Sequence, residues 1–325
     1  MQSIFAGTVP FFALVLVGYL AGRMHALPES ATSGLNAYVL YFALPCLLFR
    51  FGMNTPVLDL LNPVVLTVYL AGGLVLVFFT VALTLNDRIG LKDAAFGALV
   101  AVWPNTGFMG VPLLVALLGP AAAGPVICTV LADLFVTSSL CIALSQESFG
   151  KDGASGHGAR IAIFRGLRAA VSNPLPWAIA LGAGFSMVGL KTSGPVDVMV
   201  QMLADSAGPV ALFTIGMVLW RTEQHVQTQT RVADYVPLAL VKLFLHPLLV
   251  GLMAAAARLL GAPLSTFQIS VLMLAAALPS ASNVSLLAER YGADNGRIAR
   301  IIATSTILSL LSFSALAWVI GVQQR

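Results

Sequence analysis

The stretch Ala95 to Gly119, AFGALVAVWPNTGFMGVPLLVALLG, is long and apolar enough to cross a bilayer, yet Pro104-Asn105-Thr106-Gly107 interrupts its middle. Proline removes a backbone donor and clashes with the preceding turn, and glycine weakens the helix further. Hydrocarbon offers no water to the freed groups, so a break at this depth must be buried in protein or line a wet cavity. A kinked helix inside a bundle would meet that demand equally well. A second interrupted stretch, Phe267 to Gly292, carries Pro279-Ser280-Ala281-Ser282-Asn283 at its middle. Two broken helices in corresponding positions of two halves mark the binding sites of many secondary transporters.

A water-exposed surface cannot be built from this chain. Of its 325 residues 58% are hydrophobic and 9% charged, against about 25% charged in soluble domains. The composition therefore predicts an all-α integral membrane protein. Ten apolar runs suit membrane-crossing helices: 4–22, 31–51, 61–85, 93–118, 122–145, 173–190, 196–220, 234–258, 266–290 and 297–321. The first lacks a charged leader and reads as a retained helix rather than a signal peptide. Net charge is only +4 and the basic residues lie mostly between runs, which gives no reason to expect a nucleic-acid partner; the expected surroundings are the lipid bilayer. Cys46, Cys128 and Cys141 fall inside apolar runs and read as small buried hydrophobes.

The longest polar stretch, Gln146 to Arg160, divides the chain into a first five-helix unit (1–145), a linker (146–172) and a second unit (173–325). Within the linker, Arg160, Arg165 and Arg168 alternate with apolar residues up to Val171, the pattern of an amphipathic helix on the membrane surface. With ten spans, twelve of the 17 Lys and Arg residues fall on the linker's side, four on the opposite side, and Lys242 inside a span. The positive-inside rule makes the linker cytoplasmic and both termini external. The two units also resemble each other. ALPCLLFRFGM (43–53) and AGPVALFTIGM (207–217) share Ala, Pro, Leu, Phe, Gly and Met at a constant offset of 164. This pairs span two with span seven, and Pro104 pairs with Pro279 at an offset of 175. Five is an odd number, so the second repeat must enter the membrane inverted.

These motifs resemble the auxin efflux carrier family, in particular its bacterial members described as malate or malonate permeases. The matching pieces are Leu44-Pro45-Cys46-Leu47-Leu48-Phe49, Asn105-Thr106-Gly107-Phe108-Met109-Gly110-Val111-Pro112, Pro209 to Gly216, Lys242 with Pro247, Pro279 with Ala288 and Tyr291, and Thr304 to Ser309. The resemblance implies ten helices in two inverted repeats, with spans four and nine crossing at their prolines and substrate beside the crossing. It implies a scaffold of spans one, two, six and seven, a mobile core of the other six, and a homodimer through the scaffold. The long central loop of the plant members is missing here, which removes the basis for regulation through it.

Each break creates a helix N-terminus near the midplane, after Asn105 and after Ser280, and such ends attract anions. Pro104, Asn105, Thr106, Gly107, Pro279, Ser280, Ser282 and Asn283 are the candidate substrate site; their polar side chains are also expected to cap the broken ends. Ionisable groups inside spans are costly and usually functional. Lys242 could neutralise an anionic substrate, pair with a carboxylate, or stand where other members of the superfamily bind a metal ion. Asp133 and the hydroxyls Thr304, Ser305 and Thr306 occupy matching positions in spans five and ten. Asp133 is therefore the first candidate for a coupling proton or a sodium ion, or for the partner of Lys242. Asp205 is a second intramembrane carboxylate, and Arg50 ends span two as a gate or an interfacial anchor.

No metalloprotease, phosphate-loop or catalytic-triad signature is found, and no cofactor beyond a coupling ion is expected. The expectation is a non-enzymatic secondary transporter of the bacterial inner membrane, moving a small mono- or dicarboxylate such as malonate or malate. The alternatives are transport of an auxin-like aromatic acid or another solute, a channel, or an intramembrane hydrolase in which Asp133 and Asp205 meet at one depth.

Overall fold

The computed structural model describes residues 2–146, 164, 168, 171–225 and 230–321. Most of the linker, including the amphipathic segment around Arg160 and Arg165, lies outside the described residues. Among those described the chain is helical, and the two breaks form a lone antiparallel bridge rather than strands.

Among the described residues, ten spans account for the helices apart from the short Val57–Leu60 and a fragment in the linker. Span one is Gln2–Arg23 and span two runs from Glu29 to Asn54, through one π-helical turn at Val39–Ala43. Span three is Pro63–Thr84. Span four consists of a linker-side half, Leu91–Val102, and an opposite half, Thr106–Leu118, whose first turn is π-helical. Span five is Pro120–Gln146. Span six is Pro174–Met187, shorter than expected, and span seven is Gly194–His225, longer than expected. Span eight is Val232–Leu259. Span nine is split into Thr266–Ala276 and Asn283–Tyr291, and span ten is Asn295–Val319. Seven of these runs are long and apolar enough to cross a bilayer unbroken; Thr106–Leu118 and Thr266–Ala276 are the shorter apolar pieces that the breaks leave.

The packing divides into two bodies. Span one lies along span seven and span two along span six, with spans two and seven in contact. The other six spans pack as a second group, three against four and eight, eight against nine, and ten along eight. This is the scaffold-and-core division that the resemblance implied. Each long crossing in the scaffold is made possible by paired glycines. A Cβ on Gly216 would lie 2.0 Å from the Val15 carbonyl oxygen, and one on Gly18 would lie 1.9 Å from that of Phe213. On the other side, a Cβ on Gly52 would come within 2.8 Å of the Ile179 carbonyl oxygen, and one on Gly182 within 2.2 Å of that of Phe49. Gly52 and Gly216 are partners in the sequence repeat, and Gly182 lies at the same offset of 164 from Gly18. The span one–seven and span six–two contacts are thus the same interface, repeated and inverted.

A hydrophobic cluster built from Leu44, Leu48, Met109, Leu113, Ala207, Ala211 and Leu278, among others, joins scaffold and core in the half away from the linker, beside a pocket of about 350 Å³. On the linker face the two bodies separate around a cavity.

Candidate functional site

Spans four and nine meet where the sequence breaks them. The Asn105 N–H donates to the Pro279 carbonyl at 2.8 Å, and the Ala281 N–H donates to the Trp103 carbonyl at 3.0 Å. These are the groups that the two interruptions free, so each break satisfies the other inside the protein. The local two-fold places Pro104 opposite Ser280, an offset of 176. In contact, Pro104 thus stands one residue from its partner in the sequence repeat, and neither proline has an N–H to give.

The capping expected of the polar side chains is not what the structure shows. Neither Asn105 nor Ser282 makes a side-chain cap bond. A capping side chain needs extended backbone at its own residue, whereas Asn105 sits at φ −76°, ψ 49° and Ser282 at φ −65°, ψ −27°. The Asn105 carbonyl instead accepts from both Met109 and Gly110 at 3.0 Å, which makes the first turn π-helical. The second new helix begins at Asn283, later than the position after Ser280 assigned from sequence. Its side chains are left available for other partners.

A cavity of about 690 Å³ enters from the face that carries Glu289, Asn295 and the end of span seven, and reaches this break. Ser282, Asn283 and Phe108 form its inner wall, and Asn36, Tyr41 and Arg221 of the scaffold face them. Pro104, Asn105, Thr106, Pro279 and Ser280 lie behind that wall, with Asn105, Thr106 and Ser280 between 1% and 3% exposed. Gly107 is half-buried, with no atom within 4 Å of where a Cβ would point. The Thr106 and Ser280 hydroxyls are buried and make no hydrogen bond within the protein, while the Ser280 N–H donates to the Ser305 hydroxyl at 3.1 Å.

The ionisable candidates divide. Asp133, fully buried, accepts hydrogen bonds from the Tyr69 hydroxyl at 2.8 Å and the Thr137 hydroxyl at 3.2 Å. Lys242, also fully buried, donates to the Ala276 carbonyl at 2.8 Å and lies 2.9 Å from His246 Nδ1. The Tyr69 and His246 rings are 5.8 Å apart and link the two ends into one polar cluster. Ala276 is the last residue of the first half of span nine. The ammonium of Lys242 therefore sits on the negative, carbonyl end of that broken helix, where a cation is favoured.

The hydroxyl triplet of span ten separates. Ser305 meets the crossing, Thr306 bonds the Ile302 carbonyl in its own helix, and Thr304 lines a groove beside span one. Asp205 is exposed, on an outer-half pocket of about 350 Å³ with Pro112 and Pro209, and does not join the Asp133 cluster. Arg50 pairs with Asp197 at 3.3 Å, across the ends of spans two and seven that lie away from the linker face. Sequence reasoning missed the scaffold wall of the cavity. Asn36, Asn173 and Arg221 stand near span ends, where a polar residue reads as an interfacial cap, and Asn173 does cap span six.

Comparison with known proteins agrees with this architecture. Residues 3–317 match the sequence profile of the family described as "Membrane transport protein". A "Putative malonate transporter" of Rhizobium meliloti (strain 1021) is 29% identical over 98% of this chain and 97% of its own length. The transporter YfdV of Escherichia coli (strain K12) is 25% identical over 90% of each chain. Auxin efflux carrier component 8 of Arabidopsis thaliana is 22% identical over 96% of this chain and 94% of its own.

Proposed function

The chain belongs to the membrane transport protein family that includes the auxin efflux carriers, and from that premise we propose that it is a secondary active transporter of a small organic anion. A mono- or dicarboxylate such as malonate or malate is the cargo we assign. The observation that carries this reading is the one-sided cavity. It runs from the linker face to Asn283 at the start of a helix, while the pocket in the opposite half of the same seam is smaller, about 350 Å³, and is lined by none of the residues of the two breaks. A site at the floor of a one-sided cavity, on a helix N-terminus, suits an anion carried by alternating access.

In this mechanism a carboxylate enters from the cytoplasm; the excess of basic residues on the linker side supports that side as the cytoplasmic one. It takes hydrogen bonds from Asn283, Ser282 and the free N–H groups of the helix end, with Arg221 providing attraction on the way in. Thr106 and Ser280 offer two buried hydroxyls that a shift of the crossing would bring into play. The core then moves against the glycine-packed scaffold and opens the outer side, with no chemical change to the cargo. Asp133, bonded to two hydroxyls but to no backbone, is the group we assign to a coupling proton or sodium ion. Phe108 and Tyr41 in the cavity wall support a second reading, in which the cargo is an aromatic acid.

The test is a thermal-shift screen of the purified protein against aliphatic and aromatic acids and neutral solutes, with and without sodium at two pH values. A ligand that binds only the folded state raises its apparent stability. Stabilisation by one carboxylate class names the cargo, and stabilisation only by neutral or cationic solutes refutes the anion reading. Asn283→Ala removes a hydrogen bond to a charged group, about 1.5–3 kcal/mol, so its carboxylate affinity should fall by roughly tenfold to a hundredfold. Asn105→Ala should weaken it less, because Asn105 is reached only through the crossing. Unchanged affinity in both variants moves the site elsewhere.

A further inference from the structure

Three helices of the core begin side by side on the linker face: the first half of span four at Leu91, span eight at Val232 and span ten at Asn295. Asp93, Asp234 and Asp294 stand at these starts, and one cation, Arg297, lies among them with 3% exposure. Arg297 Nε donates to the Asp234 carbonyl at 2.9 Å and Nη1 to the Asp93 carbonyl at 3.3 Å. One guanidinium from span ten thus holds the starts of spans eight and four. The Asp294 carboxylate accepts from the Arg297 N–H at 3.0 Å, and the Asp294 N–H donates to the Asp93 carboxylate at 2.8 Å. Room for the guanidinium comes from Gly97, where a Cβ would lie 3.4 Å from both Nη1 and Nη2. Taking a cation out of water is costly, and apolar packing already joins these spans: Phe96, Leu99, Leu238, Ile298 and Ile301 belong to one cluster. What the guanidinium adds is direction. Apolar burial is non-directional, whereas a planar fork bonded to two carbonyls fixes how the helices stand to one another.

Arg297 is absent from the lining of the linker-face cavity, but its neighbours Asn295, Gly296 and Ala299 belong to it. The Ser285 hydroxyl, on the helix that begins at Asn283, donates to the Asn295 side chain at 2.6 Å. The first half of span four runs on to Trp103, whose carbonyl holds Ala281 at the crossing, and span eight carries Lys242. We propose that Arg297 is a positioning residue for transport. It makes the linker-side ends of spans four, eight and ten one rigid piece, so that the helix carrying Asn283, the crossing and the Lys242 cluster travel together. This rests on the transport reading above, in which the core moves as a body against the scaffold. Without the tie the cavity wall still binds cargo, but it yields at span ten instead of carrying the crossing with it. Turnover is then lost, and affinity is kept.

The experiment compares the native protein with Arg297→Met, Arg297→Lys and Gly97→Val, in detergent and in proteoliposomes. Gly97→Val keeps the arginine and displaces its guanidinium, and Arg297→Lys keeps a charge without the fork that bonds both carbonyls. Malonate affinity, read by thermal shift, should stay at the native value in every folded variant. Malonate uptake should fall about tenfold, as when the loss of one charge-assisted hydrogen bond raises a barrier. If Arg297→Met fails to fold, the other two variants carry the comparison. Affinity and uptake falling together, or native uptake in a folded Arg297→Met protein, overturns the positioning role. Full uptake in Arg297→Lys overturns it as well, because charge alone would then suffice. Hydrogen exchange tests the tie without cargo. Exchange in the first turns of spans four, eight and ten should quicken together in Arg297→Met, and a change confined to span ten overturns the tie. A native protein that carries no malonate counts against the transport reading instead, and the exchange result still decides whether Arg297 holds the three spans.

Discussion

Gly216→Leu is expected to leave little folded protein. A side chain there starts 2.0 Å from the carbonyl oxygen of Val15 and 2.5 Å from the Tyr19 amide nitrogen. Both are helix backbone, which cannot turn aside as a side chain could. Overpacking a core costs about 1–3 kcal/mol where neighbours can rearrange, and backbone against backbone puts this site at or beyond the upper end. Gly52→Leu should behave alike, since Gly52 fills the corresponding place against span six. Gly34→Ala is the control, because nothing lies within 4 Å of where its Cβ would go; it should be neutral or stabilise by up to about 1 kcal/mol. Size-exclusion profiles and melting temperatures in detergent read all three. A monodisperse Gly216→Leu protein with native melting would mean that the span one–seven crossing is looser than its geometry requires.

Lys242→Met is expected to lose more than any other single change in the polar cluster. It keeps an unbranched side chain one atom shorter but leaves the Ala276 carbonyl and His246 Nδ1 buried without their partner. Each orphaned group costs about 1–3 kcal/mol, and the helix end loses its cation. Asp133→Asn keeps an acceptor for one of the two hydroxyls of Tyr69 and Thr137, and the other can turn to accept from the new amide, so it should be milder. If the two charges balance one another across the Tyr69–His246 contact, the double variant will be less unstable than the sum of the single losses. Additive losses would separate them, leaving Lys242 as a cap on the broken helix and Asp133 as an independent ion site. A Lys242→Met protein that melts as the native does would show that Ala276 finds another donor, and the cap would then explain nothing.

Much of this architecture is written in short sequence signals. Pro104 and Pro279 mark the breaks because each stands at mid-span beside polar residues, Asn105-Thr106 and Ser280, whereas Pro10, Pro209 and Pro237 lie inside continuous helices with apolar or small neighbours. The 164-residue offset marks the inverted scaffold because Gly52 and Gly216 are demanded by the same close crossing. Charge counts per loop give an expected cytoplasmic face. Such signals act within a few residues of the chain or by simple tally, and so they survive translation into sequence.

Contacts between distant residues do not. The crossing register of Pro104 with Ser280 is set by which N–H can reach which carbonyl, and no alignment of prolines contains that. Asn105 and Ser282 have the composition of caps, but their backbone angles forbid capping, and those angles follow from how the two breaks meet. Lys242 reads as a charge awaiting a carboxylate; the fold gives it the carbonyl end of a helix 34 residues away. Asp205 and Asp133 look equivalent as letters, yet one is exposed beside Pro209 and the other fully buried beneath Tyr69. The sequence by itself determined that the chain crosses the membrane ten times, breaks twice and repeats inverted, because hydrophobicity, proline and glycine act locally. Only the tertiary structure decided which polar groups share a cavity, because burial in a membrane protein depends on which helix faces meet.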